Sequence, residues 1–267
     1  MSRGILLVGC GKMGGALLAG WLHQGIAASD IIIVEPNPVP DLPAGIRQAK
    51  AAEAIPADFS PALVMLAVKP QVMDAVAPAY AAYAGRGACI LSIAAGKTIA
   101  TLNRLLGGKA AIVRAMPNTP AAVGAGITVC CSNADVTSDQ RAFCGNLLAA
   151  VGEVAWVEDE ELIDAVTAVS GSGPAYVFWL AECLAAAGEK AGLDAALADR
   201  LARATVSGSG LLMRQSPDNP TQLRKNVTSP NGTTQAALDV LMAADGLAPL
   251  MERAVAAAAK RSRELAG

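Results

Sequence analysis

The stretch GILLVGCGKMGGAL, Gly4 to Leu17, decides how the rest of the chain is read. Ile5 to Val8 form a continuous apolar run with no alternation, the pattern of a strand covered on both faces. Gly9, Gly11 and Gly14 then stand in a GxGxxG spacing, and the Ala and Leu residues beyond them favour helix. In a strand-turn-helix unit the three glycines serve, in order, a tight turn, close approach of the backbone to a pyrophosphate, and close packing of helix on strand. Alone the spacing carries little weight. Directly after a buried strand and directly before a helix, it predicts a dinucleotide site.

Working outward, the same texture recurs. DIIIVE (Asp30 to Glu35), ALVMLAV (Ala62 to Val68), ACILSIA (Ala88 to Ala94), AAIVRAM (Ala110 to Met116) and GITVCC (Gly126 to Cys131) are apolar runs, and EVAWV (Glu153 to Val157) closes the series. Helical text separates most of them, including Gly15 to Gln24 and Val72 to Tyr83. Strands alternating with helices predict a doubly wound α/β fold around a mostly parallel sheet. From Asp159 onward the chain offers Ala- and Leu-rich helical stretches and no convincing strand, broken by SGSGP (Ser170 to Pro174) and QSPDNP (Gln215 to Pro220). The boundary is placed near residue 158, giving a dinucleotide-binding domain over 1–158 and an all-helical domain over 159–267. Helices such as AVAAAAK (Ala254 to Lys260) carry few charges, which suits burial on more than one side and makes a helical dimer interface the natural expectation.

Composition narrows the function classes. A chain of 267 residues with 53% apolar content can bury a large core. Its 21 Lys+Arg against 23 Asp+Glu, with no block of like charge, point away from nucleic acid and from a membrane surface. Cys10, Cys89, Cys130, Cys131, Cys144 and Cys183 show no CxxC pair, which favours reduced thiols and a cytoplasmic protein. His23 is the single histidine, so a zinc site of several His ligands is excluded, no metal is expected, and a Ser-His-Asp triad is disfavoured. The chain opens on a strand with no longer apolar run, so neither a signal peptide nor a membrane span is expected.

Several positions carry the expected chemistry. Glu35 ends the second strand about twenty residues beyond the glycines, where a carboxylate can accept from the ribose hydroxyls of NAD and would repel a 2′-phosphate. With no Arg in EPNPVP, the local reading leans to NADH over NADPH. AVKPQ (Ala67 to Gln71) follows the third strand, and Lys69 there is either a catalytic cation or a solvated strand-end charge. SIAAGKT (Ser92 to Thr98) supplies Ala94, Ala95 and Gly96, small enough for a nicotinamide to lie against backbone. RAMPNTPA (Arg114 to Ala121) holds Asn118 between two prolines, as a turn device or, by its location, as a binder of the carboxamide. NVTSPNGTTQAALDVL (Asn226 to Leu241) sets hydroxyls around Asn231-Gly232 at a helix start, which serves either for capping or as an anion site.

The motifs VGCGKMG, LAVKPQ, SIAAGKT, VRAMPNTP, SGSGPAY and NVTSPNGTTQAAL stand in one order along nearly the whole chain, and together they resemble the pyrroline-5-carboxylate reductases. The resemblance implies an N-terminal Rossmann domain, a helical C-terminal domain that interlocks with a second subunit, and dimers gathered into larger assemblies. The reaction it implies is reduction of a cyclic imine to L-proline with NADPH or NADH. Cofactor contacts carry over to Val8, Gly9, Cys10, Gly11, Lys12 and Met13, to Glu35 and Pro36, to Ala67, Val68, Lys69 and Pro70, to Ile93, Ala94 and Ala95, and to Asn226. Substrate contacts carry over to Thr233 and Thr234, with Ser229 and Gly232 in the same turn and Glu160 in DEELIDAV. Many relatives have Ala where Thr233 stands and Gly at Asn231, and AKAAEAIPADF shows no counterpart of the Asn that touches the adenosine ribose. On this resemblance the N–H groups of Thr233 and Thr234 take the substrate carboxylate, and the Thr234 hydroxyl is the catalytic group beside the ring nitrogen. SGSGP reads as structural, with Pro174 in a first helical turn. Two rivals remain: a 3-hydroxyacid dehydrogenase, disfavoured because AYVFWLAECLAAAGEK has no Lys before Lys190, and a dinucleotide sensor without catalysis.

Overall fold

A computed structural model describes residues 4–266. Each apolar run becomes a strand: β1 Gly4–Val8, β2 Ile31–Val34, β4 Pro61–Leu66, β5 Cys89–Ser92, β6 Ile112–Met116, β7 Gly126–Ser132 and β8 Gly152–Trp156. An additional strand, β3 Arg47–Ala49, joins the edge beside β2. It escapes the sequence reading because RQA is short and polar. The order is β3-β2-β1-β4-β5-β6-β7-β8, parallel except for the antiparallel β6–β7 pair, as expected of a mostly parallel doubly wound sheet. The chain leaves β1 toward β2 and β3, then returns to β4 on the other flank of β1. That reversal opens a crevice at the carboxyl ends of β1 and β4.

Two apolar layers close the sheet because adjacent residues of a strand point to opposite faces. Ile5 and Leu7 pack with Leu17, Leu18 and Trp21 of helix α1 (Lys12–His23), and the Trp21 indole donates to the Leu147 carbonyl at 2.9 Å. Leu6 and Val8 pack on the other face with Met73, Ala77, Tyr80 and Leu102. The helix expected over Val72 to Tyr83 is broken into a 3₁₀ turn Pro70–Val72, α2 Met73–Val76, a second 3₁₀ turn Ala77–Tyr80 and α3 Ala81–Gly85. Pro78 explains the break, since it has no N–H to donate and its ring crowds the carbonyl of Asp74. Helices α4 (Ile99–Leu105) and α5 (Ser138–Leu148) complete the layers, α5 through a reciprocal capping box between Thr137 and Gln140.

Beyond β8 the described residues are helical: α6 Leu162–Val166, a π-helical turn Thr167–Gly171, α7 Gly173–Lys190, α8 Ala195–Gln215, α9 Pro220–Asn226, α10 Thr233–Leu241 and α11 Leu247–Ala266. By packing, the chain divides into two compact units, the second running from Ser172 to Ala257. The first unit keeps α6 because Ile163, 1% exposed, packs against Val129 and Cys131 of β7. It also recovers the last turns of α11, from Ala258 onward, where Ser262 donates its hydroxyl to Asp164. A boundary read from composition marks where strands stop, whereas packing keeps the first helix after them on the sheet.

The second unit, Ser172 to Ala257, is built on the antiparallel α7–α8 pair, where Gly188 lets Leu193 and Ala198 approach closely. It has almost no interior of its own: α7, α9 and α10 contain no buried residue, and α8 buries only Ala198 and Ala202. Phe178 and Trp179 on α7 are 62% and 64% exposed, and Leu211, Leu212 and Val240 are each more than half exposed.

Candidate functional site

The glycine turn after β1 is organised by contacts that no side chain would tolerate. Gly9 has φ +90°, donates to the Val34 carbonyl at 2.8 Å, and a Cβ there would sit 2.8 Å from the Ala67 carbonyl oxygen. A Cβ on Gly14 would meet the Gly9 carbonyl oxygen at 2.6 Å. At Gly11 a Cβ would meet nothing within 4 Å, so here the constraint does not come from the protein itself. Gly11 is the N-cap of α1, without a side-chain cap and without an acidic residue in the first turn, so the helix start presents N–H groups to an incoming anion. Lys12 and Met13 are the first residues of that helix.

Glu35 follows β2 and leans onto this turn. One carboxylate oxygen accepts the Cys10 N–H at 3.2 Å, and the other accepts the Asn37 backbone N–H at 3.2 Å and its side-chain amide at 3.3 Å. Burial, reinforced by the Glu35 charge, pushes the Cys10 thiol above its ordinary pKa, so it is a neutral wall and not a nucleophile. Gln48 of β3 donates to the Glu35 and Asn37 carbonyls at 2.8 and 2.7 Å and so fixes the turn that carries the carboxylate. A cavity of about 280 Å³ opens beside it, lined by Val8, Gly9, Glu35, Pro36 and Val68 of the expected set and also by Lys50. Lys50 is an addition to that set. It follows β3 directly and supplies the cation that EPNPVP lacks.

The loop after β4 begins with Ala67, whose N–H donates to the Val8 carbonyl at 2.8 Å, and continues to an exposed Lys69 ahead of Pro70. The loop after β5 runs alongside: Ile93 donates to the Leu66 carbonyl at 3.2 Å, and Ala94 to the Ser92 hydroxyl at 3.3 Å. Gly96, at φ +73°, lets the loop turn into α4. The expected cofactor residues of β1, β2, β4 and β5 are therefore neighbours at one edge of the sheet.

Two expected contacts have other occupations. Asn118 accepts the Ile127 N–H at 2.9 Å and donates to the Ser170 hydroxyl at 3.3 Å, so its amide ties its loop to β7 and to the SGSGP segment. These bonds hold the loop in place beside the end of β6. Glu160 accepts the Arg114 guanidinium at 2.7 Å and the Ile99 N–H at 2.8 Å on a single oxygen. Arg114 is 4% exposed inside β6, so this pair compensates a buried charge. A lone Arg within the apolar run IVRAM was the available signal that such a partner existed.

In the second unit, Asn226 ends α9 with both amide atoms engaged, accepting from Gln222 at 2.7 Å and donating to Asp218 at 3.1 Å. Thr228 donates to the Arg224 carbonyl at 2.6 Å, closing α9. The turn then tightens through Asn231 at φ +59°, and Gly232 donates to the Ser229 carbonyl at 3.1 Å. Gly232 is the N-cap of α10, with no side-chain cap and no acidic residue in the first turn. None of the hydroxyls around the turn makes a side-chain cap at the start of α10. A Cβ on Gly232 would collide with the Ser229 hydroxyl, so the glycine is what allows Ser229 to lie over the helix start. In SGSGP, Pro174 does occupy the first turn of α7, and Gly171 makes room for Met116.

No group of three or more His, Cys, Asp or Glu able to hold a metal occurs among the described residues, and no described helix is long and apolar enough to cross a membrane.

The loops at the carboxyl ends of β1, β4 and β5 line the crevice in which a doubly wound sheet binds a dinucleotide, and Ala94 and Ala95 keep its wall there small. A sheet used in this way belongs to the NAD(P)-dependent oxidoreductases. Residues 4–96 match a family described as NADP oxidoreductase, coenzyme F420-dependent, and residues 160–265 match pyrroline-5-carboxylate reductase dimerisation. A pyrroline-5-carboxylate reductase of Pseudomonas aeruginosa is 41% identical over 98% of this chain and 96% of its own length. One from Escherichia coli is 38% identical over 90% of each. The solved structure of a pyrroline-5-carboxylate reductase from Coxiella burnetii superposes with a TM-score of 0.93 at 32% identity, covering both chains completely. That of the Plasmodium falciparum pyrroline carboxylate reductase, with NADP bound, superposes at 0.84 and 28% identity, covering 99% and 98%. The chain belongs to the pyrroline-5-carboxylate reductase family. Its helical half is the family's dimerisation domain, which accounts for apolar helix faces left bare on a single chain.

Proposed function

We propose that this chain reduces 1-pyrroline-5-carboxylate to L-proline, the last step of proline biosynthesis, as a cytoplasmic homodimer gathered into a larger ring. Val8 to Met13 would hold the pyrophosphate, Glu35 and Pro36 the adenosine ribose, Ala67 to Pro70 and Ile93 to Ala95 the nicotinamide end, and Asn226 a further contact. NAD(P)H held there supplies a hydride for the imine carbon.

The observation that carries the substrate side is the bare start of α10. The Thr233 and Thr234 N–H groups have neither a side-chain cap nor an acidic neighbour, and a substrate carboxylate satisfies them. Ser229, held over the helix start by Gly232, adds a hydroxyl to the same cradle. Thr234 orients the ring nitrogen and hydrogen-bonds the product amine. No side chain need donate a proton, because an iminium that arrives protonated is discharged by the hydride. The chain's contribution is orientation, which in favourable systems lowers a barrier by roughly 7–11 kcal/mol.

Both cofactors are accepted on this reading, with NADH favoured by the Glu35 carboxylate and NADPH kept acceptable by Lys50 across the cavity. Six free cysteines support the cytoplasmic placement. The test is oxidation of NADH and NADPH in the presence of racemic pyrroline-5-carboxylate, with Thr234→Ala and Thr234→Ser beside the parent. Imine-dependent oxidation that falls in the Ala variant and is partly kept in the Ser variant, at unchanged cofactor affinity, is expected. Tight cofactor binding without oxidation would instead make the chain a sensor, and an unaffected Thr234→Ala would remove that residue from the mechanism.

A further inference from the structure

The loop Ile93–Thr98, on which the nicotinamide is placed above, is held by residues far away in sequence. At its downstream end, the N–H of Ile99 donates to Glu160 at 2.8 Å, and Glu160 is itself gripped by the buried Arg114 at 2.7 Å. At its middle, Gly96 is buried and passes flush against the last turn of α11. A Cβ on Gly96 would lie 3.1 Å from the Leu265 carbonyl oxygen and 3.3 Å from the Leu265 carbonyl carbon. That last turn is anchored in turn by Ser262, only 5% exposed, whose hydroxyl donates to Asp164 of α6. Glu160 and Asp164 belong to one short segment. The result is a closed circuit: from Glu160 to Ile99, back along the loop to Gly96, across to Leu265, down α11 to Ser262, and through Asp164 to Glu160 again.

We infer that the Ser262–Leu265 turn of α11 and the Arg114–Glu160 pair are positioning elements for the nicotinamide loop, fixing the depth at which Ala94 and Ala95 meet the ring. None of these residues is a catalytic residue on this account. In this circuit Glu160 acts through the Ile99 N–H, with both of its contacts on one carboxylate oxygen. A buried Ser–Asp bond between the last turns of α11 and α6 ties two helices whose ends would otherwise fray. The circuit also explains why Gly96 is glycine: a side chain at φ +73° would be strained, and its Cβ would press on backbone that cannot rotate away.

The inference rests on the cofactor placement proposed above, and the experiment separates the two. Ser262→Ala, Ser262→Thr and a chain ending at Glu264 are compared with the parent for kcat, for NADPH affinity by fluorescence titration, and for the primary isotope effect with cofactor deuterated at nicotinamide C4. Ala95→Leu is measured alongside as the direct probe of the nicotinamide position. A loop displaced by a fraction of an ångström slows hydride transfer while most cofactor contacts persist. The expected result for Ser262→Ala and the shortened chain is therefore a kcat lower by about tenfold, NADPH affinity within about twofold, and a larger isotope effect. Ser262→Thr, which keeps the hydroxyl, should return toward the parent. Parental kcat and isotope effect in both Ser262→Ala and the shortened chain, with Ala95→Leu crippled, overturns the inference and leaves the cofactor placement standing. A loss of kcat with an unchanged isotope effect also overturns it, because that is the signature of lost folded enzyme. An unimpaired Ala95→Leu overturns both, since the ring would then lie elsewhere.

Discussion

Adding one methyl group at Gly11 and, separately, at Gly14 tests whether the turn after β1 is shaped by the protein or by its ligand. At Gly14 the new Cβ lies 2.6 Å from the Gly9 carbonyl oxygen, a backbone atom with nowhere to go. Overpacking of this kind costs about 1–3 kcal/mol. Alanine in place of glycine inside a helix returns about 1 kcal/mol. Taking the upper part of the range, since the obstacle is backbone, the net cost is about 2 kcal/mol, or about 4–8 °C in melting temperature at this chain length. At Gly11 the methyl meets no protein atom within 4 Å, and φ of −73° suits alanine. The fold loses only the modest N-cap advantage of glycine over alanine, about 0.5 kcal/mol, or 1–2 °C. The same methyl stands where a pyrophosphate must approach. If the clash there costs about 1–3 kcal/mol, cofactor affinity falls about 5- to 150-fold. Calorimetry measures the first quantity and nicotinamide fluorescence titration the second. The reasoning fails if Gly11→Ala binds cofactor as the parent does, or if it melts as low as Gly14→Ala.

The same structure leads to four more outcomes. Removing the charge that faces the ribose, in Glu35→Ser, should raise the NADPH to NADH ratio of kcat/KM about tenfold, equivalent to about 1.4 kcal/mol. Lys50→Ala should lower efficiency with NADPH alone, and an unchanged ratio in both variants would show that the cavity beside Glu35 is not the ribose site. Because the helical unit buries so little within one chain, melting should depend on concentration: about a hundredfold dilution removes about 2.7 kcal/mol per dimer, or about 1.4 kcal/mol per chain, and lowers melting by about 3–6 °C. A melting temperature independent of dilution would mean that the bare faces of α7 and α8 are not covered by a second copy. Burial pushes the Cys130 thiol from 9.0 up to about 12. A raised folded pKa keeps its stabilisation below the unfolded value and loses it as pH climbs through the folded one, so stability should decline between pH 9 and about 12. Cys130→Ala should melt with a flatter pH dependence in that window, retaining a residual slope from Tyr80, which burial raises from 10.0 to about 12. Parallel profiles for parent and variant would show that the thiol is not the group responsible.

The parts of the site that were legible in the sequence share one property: they are local. GxGxxG after an apolar run announces its turn within eleven residues of chain, Gly4 to Gly14, even though Val34 and Ala67 then pack against Gly9. Seven of the eight strands were equally plain, six because strands buried in the sheet are apolar nearly throughout and the half-exposed edge strand β8 by its run EVAWV. The exception, β3, is stabilised by pairing with β2 and by Gln48 bonding to the Glu35 turn, and neither leaves a periodicity in RQA. Lys50 escapes for the same reason, because nothing local announces that the residue after an invisible strand lines the cavity beside Glu35. At Pro78 the difficulty was of another kind. The proline was in view, but apolar spacing outweighed it in the reading of one helix over Val72 to Tyr83.

Sequence by itself determined the fold class, the cofactor class and the hydroxyl-rich turn, because backbone demands and strand burial act on adjacent residues and therefore leave patterns among adjacent residues. Tertiary structure decided the roles of individual polar groups. Glu160 takes the N–H of Ile99, Asn118 that of Ile127, and the end of α11 lies against Gly96, each through a partner at least nine residues away and in the furthest case 169. A carboxylate or an amide is chemically competent for many partners. Which one it takes is set by what the packed fold brings within about 3 Å, where a buried polar group must be satisfied.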